Sequence, residues 1–259
     1  MALEHAEKQN LDLGKLQRLL IGGTALPTDI RDRLRSKGVS AVQIWGMTET
    51  SPLGTIGRPN REVAEWPDEK RDQQLLKQGR LPWGVQMKIV LEDGSRAPRD
   101  GETSGDIWVK GPWIACGYLH GDGGELLDDE GFFPTGDVGH IDPQGYMKIT
   151  DRSKDVIKSG GEWISSIDIE DVATQHPAVS MAAVVATYHE KWDERPLLFI
   201  TLKEGAELDK QEMLDHLNGK IVKWWTPDDV IVIEDMPMTA TGKIRKLNLR
   251  EEYWKHLES

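Results

Sequence analysis

The residues of this chain that could do chemistry sit in loops, and most of those loops are built on glycine. Six stand out in chain order: Gly22-Gly23-Thr24-Ala25, Trp45-Gly46-Met47-Thr48-Glu49, Thr135-Gly136-Asp137, Asp151-Arg152-Ser153-Lys154-Asp155, Ser159-Gly160-Gly161-Glu162 and Pro237-Met238-Thr239-Ala240-Thr241-Gly242-Lys243. Loops of this kind invite a phosphate-binding reading, because a chain without side chains can approach a ligand closely. Two tempting versions of it fail. Thr241-Gly242-Lys243-Ile244 ends like a phosphate-wrapping loop, but Pro237 stands where the leading glycine is needed and Ile244 where Ser or Thr is needed. Gly121-Asp122-Gly123-Gly124 lacks the last glycine of a dinucleotide fingerprint and opens no apolar helix. Taken singly, each of the six also has an ordinary reading: a strand-end turn for Gly22-Gly23, a turn cap for Asp137, a surface ion pair for Asp151-Arg152, a solvated residue for Lys243. Only their combination and order carry information.

The elements that must position these loops change character along the chain. Leu16 to Ile21 reads as a short buried strand, Pro27 to Lys37 as a helix with Pro in its first turn and Gly38 after its end, and Ala41 to Trp45 as a second strand. That is a strand–helix–strand unit, so the first part is α/β. Asn60 to Gly79 reads as an irregular excursion with a helical end. From Gly84 to Thr150 the pattern is mostly β, with strands at Val85 to Leu91, Asp106 to Lys110 and Tyr146 to Thr150 between glycine-rich turns. After Asp151 an α+β module follows. Ser165-x-x-Asp168 resembles a capping box, after which Ile169, Val172 and Ala173 share one helical face. Ala182 to Ala186, Leu197 to Leu202 and Val230 to Glu234 are strand-like, Lys210 to Leu217 is helical, and a last helix begins near Ile244. The boundary falls near Asp151 to Lys154, giving domains 1–150 and 151–259.

Composition narrows the class. The chain has 259 residues, 38% hydrophobic and 29% charged, enough for a real core in one large or two ordinary domains. A net charge of −12 argues against nucleic acid and anionic membrane surfaces as partners. No apolar run approaches the roughly 20 residues of a membrane span, and 1–20 is too charged for a secretory signal. The single cysteine, Cys116, excludes an intrachain disulfide and a multi-cysteine metal site; it reads as a small packing residue and is compatible with a cytoplasmic location. The seven His show no metal-ligand spacing, and most of the ten Trp read as packing anchors.

In order and residue type, the six stops resemble the superfamily of adenylate-forming enzymes, to which acyl-CoA synthetases, firefly luciferases and peptide-synthetase adenylation domains belong. The resemblance runs from about Leu16 to Arg250. It implies the C-terminal remnant of a large α/β and β-rich domain, followed by a small mobile α+β domain. It also implies ATP or AMP, Mg²⁺ and CoA as ligands, and a carboxylic acid–CoA ligase activity through an acyl-adenylate. Gly22, Gly23 and Thr24 would line one side of the adenine, and Trp45, Gly46 and Met47 the other. Thr48 would donate to the α-phosphate, and Glu49 would help hold Mg²⁺. Asp137 would accept from both ribose hydroxyls, and Arg152, fifteen positions on, would contact the ribose. Lys243 would stabilise negative charge developing during adenylation. Lys154 matches the hinge about which the small domain pivots, withdrawing Lys243 and presenting Gly160, Gly161 and Glu162 to the pantetheine thiol. Gly111 and Pro112 match a segment near CoA; for Trp163, packing beside the CoA tunnel and packing in the core stand as equal alternatives. On this reading Glu49 and Asp137 belong to the large domain, and Arg152 and Lys243 to the hinge and beyond. The run Trp45 to Pro52 looks like medium- and long-chain synthetases, so a fatty or other hydrophobic acid is the expected substrate.

One departure is large. Relatives carry, well before the first glycine motif, a Ser/Thr/Gly-rich loop ending in Pro-Lys-Gly that wraps the β- and γ-phosphates, and no such segment occurs in these 259 residues. The expectation is a chain impaired in adenylation on its own, completed by a separate N-terminal chain or self-associating through exposed surface. The alternatives are a non-catalytic AMP- or CoA-binding fragment and an adenylation domain serving a carrier protein.

Overall fold

The computed structural model of the protein describes residues 2–23, 26, 28–239 and 242–258. Thr24, Ala25, Pro27, Ala240 and Thr241 lie outside those residues. The chain divides into two compact units. The first holds 1–135 and 139–149, the second 136–138 and 150–259. Asp137 therefore groups with Arg152.

In the first unit, α1 (Ala2–Lys8) precedes β1 (Arg18–Ile21), α2 (Thr28–Ser36) and β2 (Ser40–Trp45). β1 and β2 pair in parallel, Ile21 opposite Gln43, which is the expected strand–helix–strand unit. There follow β3 (Thr55–Ile56), α3 (Arg61–Ala64), α4 (Asp68–Gln74), β4 (Gly79–Arg80), β5 (Gln86–Val90), β6 (Gly105–Lys110), β7 (Phe133–Ile141) and β8 (Tyr146–Arg152), of which 136–138 in β7 and 150–152 in β8 group with the second unit. These strands form one sheet in the order β1-β2-β3-β4-β8-β7-β6-β5. β1 ends that order and is exposed, not buried as its apolar run suggests: as an end strand of the sheet it leaves Leu19 and Leu20 exposed, Leu20 at 55%. The segment 60–79, expected to be largely irregular, holds two helices. The Asn60 side chain starts the first by accepting the Val63 amide at 2.7 Å. The buried Tyr146 hydroxyl anchors it, donating to the Arg58 carbonyl (2.8 Å) and accepting from the Asn60 amide (3.0 Å). Trp45, Met87, Ile89, Ile107, Val109, Phe133, Ile141 and Met147 make the core.

Asp142 shows how tightly the turn between β7 and β8 is held. Its carboxylate accepts from the Lys77 ammonium (2.5 Å), the Gln74 amide and the Tyr146 backbone amide (2.9 Å). Burial opposes its ionisation, but these donors together keep its carboxyl below the usual range.

The second unit is built on β9 (Ile157–Ser159), β10 (Glu162–Ile164), β11 (Val179–His189), β12 (Asp193–Leu202) and β13 (Asp229–Val232), with α5 (Ser166–Thr174), α6 (Lys210–Leu217) and α7 (Lys246–Glu252). β11 and β12 form a long antiparallel pair, and β13 joins β12 in parallel. Along β12, Leu198 and Ile200 enter one core with α5 and α6, while Leu197 and Phe199 enter another beside Leu249 of α7 and Tyr253 beyond it. A sheet covered on both faces explains the unbroken apolar run in the sequence. Ser165 caps α5 as its spacing predicts, accepting the Asp168 amide at 3.2 Å. Asp209 caps α6, accepting the Glu212 amide at 2.8 Å. The last helix begins at Lys246 rather than near Ile244, because Ile244 bridges Met238 in a preceding hairpin. Cys116 is exposed, not a packing residue. Among the described residues no helix is long and apolar enough to cross a membrane.

Two measurements check this packing. Leu198 is fully buried, so Leu198→Ala should cost about 2–5 kcal/mol in urea unfolding followed by circular dichroism. Asp142 has a lowered folded-state pKa, so its contribution is present at neutral pH and lost as pH falls below about 4. Asp142→Asn should therefore destabilise the chain at pH 7, with the gap to the parent chain narrowing only as pH falls below about 4.

Candidate functional site

In the first unit the candidate residues sit at the ends of β1 and β2. Gly22 follows β1, where an added Cβ would lie 2.7 Å from the Ile44 side chain and 3.1 Å from its carbonyl oxygen, so only glycine fits. Gly46 is tighter still, with its Cβ position 1.7 Å from the Pro52 carbonyl oxygen. That close approach folds 46–52 back on itself. The Thr50 hydroxyl secures the fold, accepting the Met47 amide at 2.8 Å and lying 2.8 Å from the Pro52 carbonyl oxygen. Trp45 is buried, its ring against Gly54, while Thr48 at the tip of the loop is exposed.

Glu49 is held by a segment whose link to it leaves no signal in the sequence. The Ala115 amide donates to its carbonyl (2.8 Å), and the Tyr118 hydroxyl donates to its carboxylate (2.6 Å). The same segment sends the Trp113 indole N–H to the Leu53 carbonyl (3.0 Å). The hydrogen bond to Glu49 pushes the Tyr118 phenol above its usual range. Among the described residues no three His, Cys, Asp or Glu gather as a metal site. Mg²⁺ needs only one or two carboxylates when phosphate and water supply the rest, so Glu49 fits as its protein ligand.

In the second unit, Asp137 and Arg152 are brought together from β7 and β8. Arg152 Nε lies 2.9 Å from Asp137 Oδ1; the aspartate is buried and the arginine half exposed. The surface pair expected as the ordinary reading of Asp151-Arg152 does not form. Asp151 points inward instead, accepting the Arg152 amide (2.8 Å) and the Ser166 amide (3.1 Å). Beside it Lys246 Nζ lies 2.7 Å from Glu170 and 2.6 Å from the Ser166 hydroxyl, and Glu170 also accepts the Val184 amide (2.6 Å). Burial raises the pKa of Asp151 and of Glu170. For Lys246 burial acts downward, but the charges of Glu170 and Asp151 outweigh it and keep the ammonium above its ordinary range. None of these partners is legible in the sequence: Lys246 and Ser166 lie 80 positions apart.

Gly160 and Gly161 form the turn between β9 and β10, both with positive φ (58° and 85°), which suits glycine. The Gly160 amide donates to the Trp192 carbonyl (3.0 Å), and a Cβ there would press on the Trp192 ring at 3.0 Å. Glu162 follows, exposed, and the partly buried Trp163 packs under Lys158. Lys154 is exposed; its carbonyl accepts Arg250 Nη1 at 2.8 Å. Lys243 stands exposed on the hairpin closed by the Met238–Ile244 bridge, its amide bonded to the Thr239 hydroxyl (3.0 Å).

The family described as "AMP-binding enzyme" matches residues 1–119, and the one described as "AMP-binding enzyme C-terminal domain" matches 168–243. A 3-methylmercaptopropionyl-CoA ligase of Ruegeria lacuscaerulensis is 47% identical over 97% of this chain and 47% of its own length. A medium-chain-fatty-acid–CoA ligase of Ectopseudomonas oleovorans is 45% identical over 92% of this chain and 44% of its own. The solved structure of o-succinylbenzoate CoA synthetase from Bacillus subtilis, in complex with an acyl-adenylate intermediate, superposes with a TM-score of 0.80. It is 26% identical, covering 96% of this chain and 49% of that one. The chain thus spans about half the length of the curated relatives it matches. Its motifs, its two units and these matches together show that the chain belongs to the superfamily of adenylate-forming, AMP-binding enzymes.

Proposed function

We propose that this chain carries the adenosine-binding and hinged portion of an ATP-dependent ligase that joins a hydrophobic carboxylic acid to CoA through an acyl-adenylate. The observation that carries the reading is the Asp137–Arg152 pair, 2.9 Å apart, two residues before Lys154. A carboxylate has two oxygens suited to the two hydroxyls of a vicinal diol, which is the recognition a ribose needs, and a guanidinium beside it orients it. The similarity to ligases acting on 3-methylmercaptopropionate and on medium-chain fatty acids favours a hydrophobic acid of short to medium length.

In this reading Gly22-Gly23 and the loop 45–47 flank the adenine, where missing side chains allow close contact. Thr48 donates its hydroxyl to the α-phosphate. Mg²⁺, when bound, neutralises phosphate charge, and Glu49 is its protein ligand. The carboxylate oxygen of the acid attacks the α-phosphorus and pyrophosphate departs, with Lys243 stabilising the charge as a mobile cation. The thiol of CoA then attacks the acyl carbonyl beside Gly160-Gly161, and AMP departs. Lys154 is the hinge between the two steps, so one small domain serves both.

Two experiments test this. Calorimetry of the chain with AMP should show binding that Asp137→Ala and Arg152→Ala each weaken by about tenfold or more, the size of a lost charge-assisted contact. Unchanged affinity in both variants would overturn the ribose assignment. The sequence holds no loop for the β- and γ-phosphates, so the chain alone should give only background exchange of labelled pyrophosphate into ATP, with or without fatty acid. Robust exchange would show that the pyrophosphate grip resides in these 259 residues.

A further inference from the structure

Helix α7 starts three residues after Lys243, and its side chains run back to the hinge. Lys246 reaches Ser166 and Glu170, beside the Asp151 carboxylate. One turn on, Arg250 donates from Nη1 to the Lys154 carbonyl (2.8 Å) and from Nη2 to Glu194 (2.6 Å). The other oxygen of Glu194 accepts the Lys158 amide (2.8 Å). Arg250 and Glu194 thus clamp both ends of the stretch 154–158. At its other end the helix is continuous with the hairpin that presents Lys243. The Arg245 amide donates to the Pro237 carbonyl (2.8 Å), Ile244 bridges Met238, and the Thr239 amide donates to the Lys243 carbonyl (2.6 Å).

We infer that Arg250 is a positioning residue that couples the hinge to the Lys243 hairpin, with α7 as the rigid lever between them and Lys246 as its fixed point. A guanidinium suits this task because its planar fork can hold a carbonyl and a carboxylate at once. Any rotation about Lys154 that swings its carbonyl must either break the bond to Arg250 or carry along α7 and, with it, the segment just before the helix that holds Lys243. This rests on the proposed roles of Lys154 as hinge and Lys243 as the adenylation lysine.

The test is hydrogen–deuterium exchange on the intact chain, read at two sets of amides. One set is Asp155, Val156 and Lys158, the other Thr239, Gly242 and Lys243; amides of β12 at 197–200 are the internal reference. In Arg250→Ala both sets should lose protection together, by about tenfold, the size of one charge-assisted hydrogen bond. The β12 amides should not change, and Arg250→Lys, which keeps a cation for one of the two acceptors, should restore part of the protection. Glu194→Gln, which weakens the clamp without shortening the side chain, should give the same pattern if Arg250→Ala does not fold. Loosening of the hinge amides alone, no change in either set, or loosening that extends to β12 would each overturn the coupling. No ligand is needed, so the result is separate from nucleotide binding. Coupled exchange with AMP affinity indifferent to Asp137 and Arg152 would overturn the ribose assignment and leave the lever standing; the reverse result would do the opposite.

Discussion

An ammonium ion cannot be removed from water without partners, and in the second unit that constraint gathers four pieces of chain around Lys246. Its charge is met by Glu170 and the Ser166 hydroxyl, and Asp151 lies close enough to add to the field. Those groups come from the start of α7, the first turns of α5 and the end of β8. Glu170 carries the network on to β11, since it also accepts the Val184 amide. Ser165 closes the set by donating to the Thr150 carbonyl at 2.8 Å while it caps α5. A buried ion pair adds little net stability relative to apolar packing, but an unpaired member is costly. The network therefore selects one arrangement of β8, α5, α7 and β11 against those that would strand a charge.

The apolar part of the unit is simpler in its logic. β11 and β12 are buried on both faces, so alternate residues feed two cores, one under α5 and α6 and one under α7. Their central residues, 182–187 of β11 and 195–201 of β12, are all buried, at the close packing of a protein interior. The functional candidates lie outside it: the Gly160-Gly161 turn between two short strands, and Lys243 beside the single bridge between Met238 and Ile244.

The first unit meets a different requirement, a backbone bent sharply enough to bring a carboxylate and a hydroxyl to one loop. The absence of side chains makes that bend possible. Gly46 lets the Pro52 carbonyl approach to a distance no Cβ would permit, and Gly54 leaves room for the Trp45 ring. The chain of contacts from Trp113, Ala115 and Tyr118 then fixes the loop from outside. Glu49 is thereby oriented by a hydrogen bond to one oxygen, the kind of support that holds metal-binding carboxylates in place.

Much of this is legible in the amino-acid sequence by itself. Lys210 to Leu217 is a helix with the bounds its pattern implies, β5 and β6 fall within a residue of expectation, and Ser165 caps where its spacing predicts. Those features are local: caps, periodicity and turn glycines act over a few residues. The strand β7 is not legible, because Pro134, Gly136 and Gly139 break its pattern; there pairing with neighbours overrides local preference, and Gly139 is where a Cβ would strike the Lys148 carbonyl at 2.2 Å. The ordered motifs are enough by themselves to indicate the superfamily and the candidate residues. Only the tertiary structure decided what those residues touch. Asp151 turns inward to Ser166, leaving Arg152 to Asp137; Glu49 meets Tyr118 from 69 positions away, and Lys154 meets Arg250 from 96. Partners so distant in sequence leave no periodic trace, because the hydrogen bonds and charges that join them exist only once the chain has folded.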